Sequence, residues 1–164
     1  MKRGYTVLEY KSIVRRLRKV RPDICLSSDF IVGFPGETEE DFNKTLSLVK
    51  ELAFDLSFVF IYSSRPGTPA ADLTDNVSHE SKVARLEALN RVLEEETLRI
   101  NQSMAGTIQR TLVEGISKKD PGELQARTAN NRVVNFKGPV DLLNRMVDIK
   151  ISEVHTFSLR GELV

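Results

Sequence analysis

SSDFIVGFPGETEEDF, residues 27–42, carries a complete passage from strand to helix. Its apolar run, which extends from Ile24 to Phe34, is rich in strand formers and lacks strict alternation, the pattern of a strand buried on both faces of a parallel sheet. Gly33, Pro35 and Gly36 end that strand. Thr38 stands where a helix N-cap belongs. Glu37, Glu39, Glu40 and Asp41 crowd the positive end of the coming helix, and Phe42, Leu46, Val49 and Leu52 form its apolar stripe. Two glycines in such a turn let a ligand approach the backbone, while helix amides point at the same spot. The run is not a Walker A loop, because Glu37 and Thr38 replace the lysine and hydroxyl that loop requires, and its acidic residues argue against bound phosphate. The remaining alternatives are a ligand-facing turn and an ordinary capped turn.

Upstream, Val7, Tyr10, Ile13, Val14, Leu17 and Val20 recur at helical spacing among Lys11, Arg15, Arg16, Arg18 and Lys19, predicting an amphipathic helix over 7–20 that Pro22 ends. Downstream, LSFVFIY (56–62) reads as a second buried strand. Helix, strand, helix, strand is the order of an α/β fold with a parallel sheet. Two strands neither close a barrel nor cover both sheet faces, so 1–77 is expected to be part of a larger domain and to leave strand edges and apolar faces free for self-association.

A Pro, Gly and Ser-rich connection (63–78) leads to a long linking helix over 78–103, capped by Ser78, with Val83, Leu86, Leu89, Leu93, Ile100 and Met104 as its stripe. From 104 to 164 the short runs TIQRTLVEG, ELQART, RVVNF, MVDIKISEV and SLRGELV, separated by DPG, ANN and KGP, predict a small antiparallel barrel of five strands. The expected class is therefore α/β plus all-β, divided at 1–77, 78–103 and 104–164.

With 40% apolar and 29% charged residues, the 164-residue chain can form one or two packed domains. It holds neither a membrane span nor a signal-peptide core, so no membrane partner and a cytoplasmic location are expected. The lone Cys25 excludes an internal disulfide and any cysteine-ligated cluster built from this chain alone, and reads as a core residue of the first strand. His79 and His155 have no partner at metal-ligand spacing. The net charge of +1 conceals eight Lys/Arg against one Glu in 1–21, followed by three against ten acidic residues in 22–77. Residues 104–164 hold nine basic and seven acidic residues, a net of +2, which composition alone leaves open between RNA binding and a structural barrel.

MKRGYT (1–6), SSDFIVGFPGETEEDF (27–42), FIYSSRPGTPAA (60–71) and GELQARTANNRVVNF (122–136), in that order, resemble the radical S-adenosylmethionine (radical SAM) methylthiotransferases across essentially the whole chain. The resemblance implies the C-terminal part of such an enzyme: later strands of a TIM-like radical SAM barrel, then an OB-like TRAM domain that binds RNA. It implies S-adenosylmethionine and [4Fe-4S] clusters in the intact parent, and methylthiolation at C2 of N6-isopentenyladenosine beside the tRNA anticodon. The cluster-binding CxxxCxxC motif is not in this sequence, so the chain alone is expected to be inactive. Relatives that act on another modified adenosine or a ribosomal-protein aspartate share the motifs, and a non-catalytic RNA-binding protein is the further alternative.

On the resemblance, Asp29, Gly33 and the backbone from Phe34 through Gly36 to Glu37 are candidates to line the SAM site. Asp29 would accept hydrogen bonds from a ribose hydroxyl or an ammonium group, or else pair with a cation elsewhere in a barrel. Arg65 would bind a carboxylate or phosphate bidentately, or rest in solvent. In the barrel, Lys118, Lys119, Arg127, Arg132, Lys137, Arg145 and Arg160 are the phosphate candidates and Phe136 the stacking candidate for a tRNA anticodon stem-loop. Asn130 and Asn131 read as turn formers.

Overall fold

A computed structural model describes residues 4–164. Of the MKRGYT motif, Met1, Lys2 and Arg3 lie outside the described residues. The chain divides after Glu96 into two compact units.

In the first unit, helix α1 (Val7–Val20) opens on a capping box in which Thr6 accepts from the Glu9 amide and the Glu9 carboxylate accepts from the Thr6 amide. Strand β1 (Asp29–Val32) passes through the 33–38 turn into α2 (Glu39–Leu52), where Thr38 and Asp41 make the same reciprocal cap. Strand β2 (Phe58–Ile61) lies parallel to β1, with Asp29 opposite Phe58 and Ile31 opposite Phe60. Phe30, Val32, Val59 and Ile61 face a core that contains Val14, Phe42, Val49, Leu52, Phe54, Leu89 and Leu93. The first part of helix α3 (His79–Gln102) belongs to this unit and starts with Ser78 accepting from the Ser81 amide.

Two expectations change here. The strands are buried on one face only, since Phe58 and Phe60 are 65% and 51% exposed and their rings stack at 6.5 Å. The helices all pack on the opposite face, so period-2 burial returns in β2. Cys25 is half-buried and precedes β1 rather than lying in it; the strand starts at Asp29, four residues further on.

The second unit is a closed barrel in the order β3-β4-β5-β7-β6. Its strands are β3 (Ile108–Ile116), β4 (Leu124–Thr128), β5 (Val133–Phe136), β6 (Met146–Val154) and β7 (Leu159–Leu163). The five runs read from sequence form five strands, but the barrel is mixed rather than antiparallel, because β5 and β7 run parallel. The reason is combinatorial: a ring with an odd number of strands cannot alternate direction all the way round. Bulges between Val113 and Gly115 in β3 and between Ile151 and Glu153 in β6 supply the bends that closure needs. Val113, Leu124, Ala126, Val134, Phe136, Ile149, Ile151 and Leu159 fill the interior, with Met104 packed among them. At Gly161 a Cβ would overlap Ile149 and the Lys150 carbonyl, so only glycine admits this approach of β7 to β6.

Candidate functional site

At the carboxyl end of β1, Gly33 has φ +69°, a left-handed conformation that favours glycine, and a Cβ there would overlap the Lys82 stem. Its amide donates to Glu37 Oε2 at 2.7 Å. That carboxylate also receives Arg85 Nη1 at 2.8 Å, and the same guanidinium nitrogen donates to the Glu37 carbonyl at 3.1 Å. The Glu37 and Arg85 side chains are 11% and 10% exposed. The Gly36 amide donates to Asn76 Oδ1 at 2.9 Å. Lys82 pairs with Asp75 and lies 5.8 Å from the Tyr62 ring centroid, and Tyr62 meets Phe34 edge to face at 5.2 Å. The amides of Gly33 and Gly36, expected to face a ligand, are thus held by side chains of this same chain.

Asp29 begins β1 and Gly33 follows its end, so four residues, about 13 Å of extended chain, separate them. Asp29 lies instead on the uncovered sheet face beside Phe58, exposed, its carboxylate without a partner among the described residues. Arg65, in the loop after β2, is exposed and its guanidinium also has no partner among them. The Asp75 carboxyl is held below its ordinary range by the hydrogen bond from Lys82. Among the described residues, no group of three or more His, Cys, Asp or Glu is placed to hold a metal ion.

In the barrel the candidate cations separate by partner. Arg132 is buried, donating Nε–H to Asn101 and Nη1–H to the Asn130 carbonyl at 3.3 Å. Arg127 Nε donates to Glu114 at 2.7 Å, which holds the Glu114 carboxyl low, and its Nη1 reaches Asn131 Oδ1 at 3.1 Å. Arg160 pairs at 3.1 Å with the buried Glu123. Lys118, Lys119, Lys137 and Arg145 are exposed and hold no ion pair among the described residues. Register brings three of these together: Ile116 pairs with Leu124 and Leu124 with Phe136, so the Lys118–Lys119 loop and Lys137 leave the barrel at one rim. Arg145 joins β3 through its carbonyl at the Val113 amide, toward that rim.

Phe136 is corrected outright: at 1% exposed it is interior packing, because the alternation of β5 turns Val134 and Phe136 inward. Arg132 is corrected likewise, its guanidinium being buried in contacts within the unit. Sequence reasoning passed over Lys82 and Arg85, although stepping the Leu89–Leu93 stripe back by four and seven residues from Leu89 lands on them. It also passed over Asn101, although stepping forward by fours from Leu89 and Leu93 reaches the buried Thr97 and then Asn101.

Residues 102–164 match the TRAM domain family. Over all 164 residues the chain is 73% identical to the tRNA-2-methylthio-N(6)-dimethylallyladenosine synthase of Neisseria gonorrhoeae (strain NCCP11945), covering 100% of this chain and 37% of that protein. It is 65% identical over 162 residues to the synthase of the same name from Chromobacterium violaceum, covering 99% of this chain and 36% of the relative. The Burkholderia cenocepacia (strain HI2424) protein of that name is 58% identical over 168 aligned positions, again with 37% of its length covered. The chain is thus similar along its whole length to proteins of that name, and it spans a little over a third of the length of the curated relatives it matches.

Proposed function

We propose that this chain is a portion of a radical SAM tRNA methylthiotransferase, in which residues 104–164 anchor RNA and residues 1–77 contribute two βα units to a larger parallel barrel, joined by 78–103. The observation that carries this reading is 73% identity over all 164 residues of the chain. In such an enzyme the transfer is of a methylthio group to C2 of N6-isopentenyladenosine in the anticodon loop, in the cytoplasm; no helix among the described residues is long and apolar enough to cross a membrane.

The residues present do not fit an iron-sulfur cluster. Thiolate ligation takes several cysteines, and Cys25 stands alone, so the 164-residue chain by itself is expected to be inactive and none of its residues acts through a cluster. For S-adenosylmethionine the donor set is partly suitable. Asp29 offers an unpartnered carboxylate to a ribose hydroxyl or ammonium, and Arg65 an unpartnered guanidinium to a carboxylate. Gly33, Phe34, Gly36 and Glu37 shape the turn rather than present it, since its glycine amides are occupied. S-adenosylmethionine supplies the radical chemistry when bound; these residues would bind and orient it.

The RNA-anchoring role falls to Lys118, Lys119, Lys137 and Arg145, cations free to neutralise phosphates. Titrating the 164-residue chain with a labelled tRNA anticodon stem-loop at two salt concentrations tests it. Binding that weakens as salt rises supports the reading; no binding at either salt removes it.

A further inference from the structure

The barrel unit contains two phenylalanines, Phe136 and Phe157, and neither Tyr nor Trp. Unpaired RNA bases are gripped by stacking on aromatic rings as well as by phosphate contacts, and Phe136 is sealed inside the barrel. Phe157 is 63% exposed, at the turn that joins β6 to β7. This turn is well anchored. The buried Asn101 donates its two amide hydrogens to the His155 and Thr156 carbonyls, each at 2.8 Å, and the His155 amide closes the turn on the Ser158 carbonyl at 2.9 Å.

A large apolar ring held out in water on a pinned backbone is already arranged for contact, so little ordering entropy opposes binding. Through Arg132, Asn101 also grips the β4–β5 turn, where Asn131 Oδ1 meets the Arg127 guanidinium. The ring therefore stands at the end of the barrel that carries amide and guanidinium groups, opposite the rim of Lys118, Lys119 and Lys137.

We propose that Phe157 is a nucleobase-stacking residue, taking an unpaired base of the bound RNA on a turn fixed by Asn101. This rests on the RNA-anchoring reading above and adds to it the class of contact and the residue that makes it.

The chain has no tryptophan, so Phe157→Trp gives a single indole reporter. In the 164-residue chain its emission should be quenched by a single-stranded anticodon-loop RNA and unchanged by a fully paired RNA of equal charge. Phe157→Ala should weaken loop binding roughly tenfold with the salt slope unaltered, and Phe157→Tyr should restore it. Equal loop affinity for the wild type and Phe157→Ala overturns the stacking role while leaving RNA anchoring intact. An indole signal that follows protein concentration without RNA overturns it in favour of a contact between copies. Absence of any salt-sensitive RNA binding by the wild type overturns both readings together.

Discussion

The Arg132 guanidinium, buried in the barrel unit, donates its Nε–H to the side-chain carbonyl of Asn101, a residue of the preceding helix. Because the same carboxamide donates to His155 and Thr156, one side chain fastens two turns. Asn101→Ala is expected to destabilise the barrel by about 3 kcal/mol, the scale of depriving one charged and two neutral partners of their hydrogen bonds. Chemical denaturation measures it, and a change below about 1 kcal/mol would show that water replaces the amide freely.

Glu37 and Arg85 form a second buried tie, in the other unit. Arg85→Ala leaves a carboxylate that keeps only the Gly33 amide, and is expected to cost about 3 kcal/mol. The double change Glu37→Leu with Arg85→Met removes both charges and should cost much less than the sum of the single substitutions. A double-mutant cycle that proved additive would mean the pair is not coupled.

The free cations and the paired ones make opposite predictions. Alanine at Lys118, Lys119, Lys137 or Arg145 should lower the salt slope of RNA binding by about one for each phosphate that is no longer neutralised, with stability unchanged within about 0.5 kcal/mol. Alanine at Arg160 should instead act on stability, because it strips the buried Glu123 of its counter-charge. Salt-dependent titration beside thermal melts separates the two groups.

The sheet face carrying Ile31, Phe58 and Phe60 is open to solvent in part, and both Phe rings are more than half exposed. The 164-residue chain is expected to bind an apolar dye and to self-associate, and Phe58→Thr with Phe60→Thr should reduce both. Sizing chromatography that finds a strict monomer with no dye binding would contradict this.

Acid should weaken both units. The Asp75 carboxyl is lowered by its hydrogen bond from Lys82, and the Glu114 carboxyl by its hydrogen bond from Arg127, from ordinary values of 3.8 and 4.5. A depressed folded-state value means that the ion pair stabilises fully above the ordinary value and ceases to do so as pH falls through the folded one. Denaturation midpoints should thus be flat near neutrality and decline below about pH 4.5, and Glu114→Gln should shallow the decline of the barrel transition.

Much of the fold was legible because it was local. Thr38 with Asp41, Ser78 with Ser81, and the DPG, ANN and KGP turns are decided within a few residues, and they fell where the pattern put them. What escaped was decided by distant partners. Whether LSFVFIY is covered on one face or two depends on which elements reach it, not on its own composition. Phe136 looked like an accessible ring beside cations until the register fixed its parity, and Arg132 like a phosphate ligand until a helix over thirty residues upstream supplied its acceptor. The strand direction was the exception: counting to five was enough to exclude an antiparallel ring.

The parallel pairing of β5 with β7 also sets the order in which the barrel can assemble. Three of the four antiparallel pairings join consecutive strands and can zip in sequence, whereas β6 must reach back past β4 and β5 to find β3, and β7 past all of β6 to find β5. Until it does, β5 and β6 each present a bare edge. The β7 strand is therefore the keystone, and the ring shuts only when it pairs with both neighbours. Deleting or mistranslating residues 159–163 would leave a sheet with two adhesive edges instead of a slightly smaller barrel, so damage confined to five residues would surface as aggregation of the whole unit.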